Sequence, residues 1–210
     1  MSVYNGAVKF RGAAVDSVRF GVKFVPVGTG SAVWDDPYAA QMIERFMPQD
    51  RGQGPVVGIL HLGAVRPTPG VLRDVVLTVG EDVKAGRYGE FTFIVSSEDE
   101  ATRYVIRDIA TAQNVAIFVS SSSVTLDQAE PAGGLTAKDR ETLDAVLQTG
   151  GTVTVAEFAQ RQRIEQTTAG NRLVALHRKG YLQRVQRPHP QGDLFVDPRS
   201  LKFEGSSTPD

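Results

Sequence analysis

Cysteine is absent from the 210 residues. That excludes disulfides, thiol nucleophiles and cysteine-ligated zinc, and it fits a reducing, cytoplasmic setting. Histidine is scarce. His61, His177 and His189 lie far apart, and no pair has the close spacing of a common zinc motif. No metal and no cofactor is therefore expected. No run of about 18 apolar residues occurs, so no membrane span is expected. The opening MSVYNGAVKFRG has no apolar core of signal-peptide length and is not read as an export signal. No G-x-G-x-x-G follows a strand, and no triad or phosphate loop is present. The chain is not expected to be an enzyme.

A strong charge of either sign is missing too, since the net charge is -1. The distribution is more informative. Residues 1–134 carry 12 Lys/Arg against 15 Asp/Glu, hence -3. Residues 135–199 carry 10 against 7, hence +3. Positive charge gathers in the last third, as in a nucleic-acid-binding segment.

The first two thirds alternate short apolar runs with helical patterns. Val18, Phe20, Val22, Phe24 and Val27 mostly alternate with polar residues and glycine and read as a half-buried strand. A run around Val8 and Phe10 is its candidate hairpin partner. Pro37 to Met47 reads as a helix, capped by Asp35 or Asp36. Val56–Leu62, Phe91–Val95 and Val115–Val119 read as buried strands. Pro69–Val83 and a helix capped by Ser97 lie between them. Strand, helix, strand, helix, strand with near-continuous apolar strands implies a mostly parallel sheet covered by helices. The fold class is α/β for residues 1–127. Residues 128–134, with Pro131, Gly133 and Gly134, read as a linker, and residues 200–210 as a disordered tail.

Residues 135–199 have a different grammar. Thr136 caps a helix with Asp139 three residues on, and Gly150–Gly151 stop it. Thr154-Val155-Ala156-Glu157 is a second capping box. A further helix runs from about Gln166 to Lys179, with Ala169, Leu173 and Leu176 as its buried stripe. Gln166, Thr167, Gly170, Asn171 and Val174 then fall on the outer face. Glutamine and asparagine can pair with adenine edges, threonine can touch a thymine methyl, and glycine admits close backbone approach. Gly180 ends the helix, and Val185 and Leu194–Val196 read as a two-stranded wing. Arg163, Arg172, Arg178, Lys179, Arg184, Arg187 and His189 are the candidates for phosphate contact.

TTAGNRLVALHRKGYL followed by a basic hairpin resembles the recognition helix and wing of winged helix-turn-helix transcriptional regulators. The resemblance covers Leu135 to Pro198. It implies binding of double-stranded DNA, usually as a homodimer on paired half-sites. The order of elements in Val18–Leu126 is similar to the sulphate-transporter and anti-sigma-factor antagonist (STAS-like) fold. That family places a phosphorylatable Ser or Thr at the start of the helix after the central strand. Thr68 occupies that place here as a candidate phosphoswitch, without the family's Asp-Ser-Ser signature; as an ordinary residue it caps the helix that follows. The expected function is a DNA-binding regulator whose first part dimerises, senses a small-molecule effector or docks a regulatory protein. The competing readings are a protein-interaction scaffold and an α/β enzyme with a winged-helix appendage. Nothing in the sequence names the operator, the effector or the sign of regulation.

Overall fold

The computed structural model describes residues 8–9, 21–26, 56–64, 66–87, 90–122, 126–187, 192–200 and 202–203, the first two and the last of these for backbone only. The expected helix over Pro37–Met47 lies outside them.

A five-stranded sheet organises the first part. Its strands are β2 (Gly21–Pro26), β3 (Val56–Gly63), β4 (Phe91–Ser97), β5 (Ile117–Ser120) and β6 (Glu130–Ala132), in that spatial order. The first four are parallel and β6 is antiparallel to β5. The fold is thus α/β with a mixed, mostly parallel sheet. Two helices cross over between strands, α1 (Pro69–Lys84) after β3 and α2 (Glu100–Ala112) after β4. Thr68 accepts a bond from the Val71 amide and so caps α1. The cap of α2 is Asp99, not Ser97. Asp99 accepts from the Thr102 amide at 2.8 Å, whereas Ser97 ends β4 and its hydroxyl accepts from the Asp99 amide.

Two stretches depart from their expected roles. Glu130–Ala132, within the expected linker, forms the sheet's antiparallel edge. A proline is tolerated in an edge strand because its missing amide need not serve a neighbour. Lys202–Phe203 (β10), within the expected tail, pairs antiparallel with Val8–Lys9 (β1). Among the described residues, Val8 is thus partnered by Phe203 from the far end of the chain.

The C-terminal part contains α3 (Ala137–Gln148), β7 (Thr152–Thr154), α4 (Val155–Gln162), α5 (Gln166–Arg178), β8 (Gln183–Val185) and β9 (Leu194–Val196). The three strands form a separate antiparallel sheet in the order β7–β9–β8. Both capping boxes form, Thr136 with Asp139 and Thr154 with Glu157.

Strands β3, β4 and β5 are buried on both faces, which explains their near-continuous apolar sequences. On one face Leu60, Leu62, Phe93 and Val95 pack under Val71, Val75, Val79 and Ile106 of α1 and α2. On the other, Val57, Ile59, Ile94 and Phe118 share a core with Leu143, Leu173, Tyr181, Leu182 and Phe195. The two parts therefore meet over a common apolar core. Polar bonds fix the seam. The Tyr181 hydroxyl donates to the Ala132 carbonyl at 2.9 Å, and the Gln183 side-chain amide donates to the Val56 carbonyl at 2.9 Å. The Arg184 amide donates to Glu90 at 3.0 Å. His177 lies 3.2 Å from the Leu182 carbonyl and 3.4 Å from Glu90, edge-on to Phe195.

Candidate nucleic-acid interface

The periodicity of α5 decides what it can present. Ala169, Leu173 and Leu176 are buried at the core. Gln166, Thr167 and Asn171 are exposed together on its first two turns. The N-cap residue Glu165 makes no side-chain capping bond, so the first amides of α5 carry none from it. Amides at a helix N-terminus are suited to anionic oxygen.

Two outward assignments change. Val174 is half-buried against the shared core. Gly170 is half-buried, and a methyl group there would meet Val155 at 3.6 Å, an ordinary contact. The position faces the start of α4, and an alanine would fit there, so packing does not require the glycine.

The basic residues divide by their partners. Arg163 is exposed in the turn between α4 and α5. It caps α4 in a left-handed conformation, φ 52°. Arg172 is half-buried on the α3 side. There, after Lys138, it helps hold the Glu141 carboxyl below its usual range. Arg184 is tied across the hairpin to Asp193, with Nε donating at 2.7 Å. Arg187 donates from Nε to the Gly192 carbonyl at 3.0 Å and lies near enough to Glu157 to help lower its pKa, after the bonds from Thr154. Arg178 is exposed, and Lys179 pairs with Asp139 at 2.6 Å. Burial raises the Asp139 pKa, but its bonds from Lys179 and Thr136 outweigh that and hold it low. Arg178 and Lys179 stand about 18 Å along the axis from Gln166, at 1.5 Å per residue. They belong to the other end of the helix. Arg199 is buried against Asp197 at 2.8 Å, so its guanidinium is not offered to a phosphate, and the pair leaves the net +3 unchanged. His189 lies outside the described residues.

Sequence reasoning placed no partner with His61. The parallel register sets His61 beside Ser96 and Ser96 beside Ser120 at the C-terminal ends of β3, β4 and β5. His61 Nδ1 lies 2.8 Å from Ser96 Oγ. Burial lowers the His61 pKa, against the opposing charge of Glu98. Ser96 is fully buried, which makes this contact a bond within the sheet and not an open nucleophile. The signal was the register between two apolar runs, which neither run reveals by itself. Thr68 is exposed, with its hydroxyl engaged as the α1 cap.

No family model matches the chain, and no curated protein matches it. Among the described residues no group of three or more His, Asp or Glu is placed to hold a metal, and no helix is long and apolar enough to cross a membrane.

Proposed function

We propose that the chain is a DNA-binding transcriptional regulator whose residues 135–199 act as a winged helix. The observation that carries this reading is the first two turns of α5. There Gln166, Thr167 and Asn171 stand exposed on a helix whose opposite stripe is buried. The order helix, strand, helix, helix, hairpin agrees with such a module, in which the second helix of the pair enters the major groove. Asn171 and Gln166 would read base edges; Arg163 and Arg187 would hold phosphates. The first part, for which a STAS-like kinship is our reading, would dimerise or receive an effector. Two linked half-sites raise affinity through effective concentration.

Arg163 adds a second line of support. A left-handed backbone costs a non-glycine residue roughly 1–2 kcal/mol, and glycine is the ordinary occupant of such a helix end. An arginine kept there is a strained residue in an exposed turn, which suits a functional contact. Arg163→Gly is therefore expected to raise stability by about 1 kcal/mol while weakening duplex binding. Denaturant melts and duplex titrations on the same preparation check both signs. Lower stability, or unchanged binding, would remove this support.

Asn171→Ala is expected to cost about 1–3 kcal/mol on a selected duplex and to relax the preferred sequence at one position. Competition against single-base variants of that duplex measures it. An unchanged preference would take base reading away from Asn171.

A further inference from the structure

A groove of about 240 Å³ opens where the end of α5 meets the end of α1 and the start of β5. Val83, Val115, Ala116 and Tyr181 give it an apolar floor. Its rim is cationic, with Lys84 from α1 and Arg178 and Lys179 from α5. None of its lining residues is acidic. Lys179 is neutralised by Asp139. Lys84 and Arg178 are exposed and, among the described residues, form no ion pair.

Cations near helix C-termini are favoured by the helix dipole, and that explains each of these within its own helix. It does not explain why two helix ends, from the two parts of the chain, bring unpaired cations to one concave apolar surface. Like charges converging there repel, and an anion between them removes the repulsion. Guanidinium also matches the paired oxygens of a carboxylate or phosphate. The groove's volume is about eight times the ~30 Å³ share of a water molecule in the liquid. That is the size of one substituted ring. We infer that this groove binds a small anionic molecule with a flat apolar body. Lys84 and Arg178 hold its anionic head, and Val83, Val115 and Ala116 carry its body.

The site itself is independent of the DNA reading, whereas its consequence for DNA rests on that reading. Gly180, two residues beyond the end of α5 and at φ 89°, packs on the same floor. A methyl group there would lie 3.5 Å from Ala116 and 3.7 Å from Val83. An occupant therefore touches the seat of α5, the helix proposed to read DNA.

The test uses the full chain and phenyl phosphate as the probe, followed by amide chemical shifts. Saturable shifts are expected at Val115, Ala116, Gly134 and Gly180 at millimolar probe. Inorganic phosphate and benzyl alcohol, each carrying half of the chemistry, should bind about tenfold more weakly or worse. The double variant Lys84→Gln/Arg178→Gln should lose about tenfold or more in affinity for phenyl phosphate while keeping the dispersed spectrum of the parent. Absence of shifts at those four residues, or equal affinity in the double variant, overturns the site. Duplex binding with and without the probe is read separately. A bound probe with no duplex binding at all would leave the site standing and remove the DNA reading.

Discussion

Phe118→Ala is expected to destabilise both parts of the chain together, by about 3–5 kcal/mol. Phe118 belongs to β5 of the large sheet but is fully buried in the core it shares with the C-terminal part. Its ring meets Tyr181 edge-on at 6.0 Å, and the Arg199 guanidinium lies 5.8 Å from its centroid. Truncation removes the ring from the middle of the seam, where the sheet on one side and Tyr181 on the other cannot both close the gap. The remaining cavity adds to the lost transfer energy. Amide exchange on the full chain reads the outcome element by element. Protection should fall by a similar amount in β3 and β4 and in α3 and α5. A loss confined to one part would mean that the two cores are energetically separate.

Gly133→Ala is expected to cost about 3–4 kcal/mol, the sum of strain at φ 116° and overpacking of a closed site. Gly133 follows the edge strand β6. A methyl group there would strike the Val115 carbonyl oxygen and stand 2.5 Å from the Tyr181 hydroxyl. That hydroxyl is committed to the Ala132 carbonyl, and burial raises its pKa, so it stays a donor. Removing it should make room. The double variant Gly133→Ala/Tyr181→Phe should therefore be less destabilised than the two single losses added together. Urea melts of the four proteins measure the coupling. Strict additivity, or a single-variant loss under about 1 kcal/mol, would contradict this placement of Gly133.

Much of the fold was legible because its signals are local. Thr136, Thr154 and Thr68 announce helix starts through side chains that satisfy free amides, and each does so. The buried stripe Ala169, Leu173 and Leu176 follows from helical spacing alone. The strands were legible as apolar runs, but what covers each face was not. Val57 and Leu60 look alike in sequence, yet one packs on the C-terminal part and the other faces α1 and α2. Glu130–Ala132, with Pro131 inside it and Gly133–Gly134 after it, reads as linker; only its pairing with β5 makes it a strand.

The candidate interface was legible by residue type and much less by partner. Gln166, Thr167 and Asn171 follow from the helical period. Arg184 and Lys179 counted as free positive charge, but Asp193 and Asp139 hold them, and the second pair spans 40 residues. Gly170 could be placed on a helix but not against Val155, which depends on how α4 and α5 cross.

The most direct test of the central claim is selection of bound fragments from random duplex DNA by the full chain, followed by titration across salt. The account predicts enrichment of one motif, as half-sites about 10 base pairs apart if the chain binds as a dimer. It also predicts affinity that falls steeply with added salt. A pool that stays random, with no salt-dependent retention of any duplex, would contradict it.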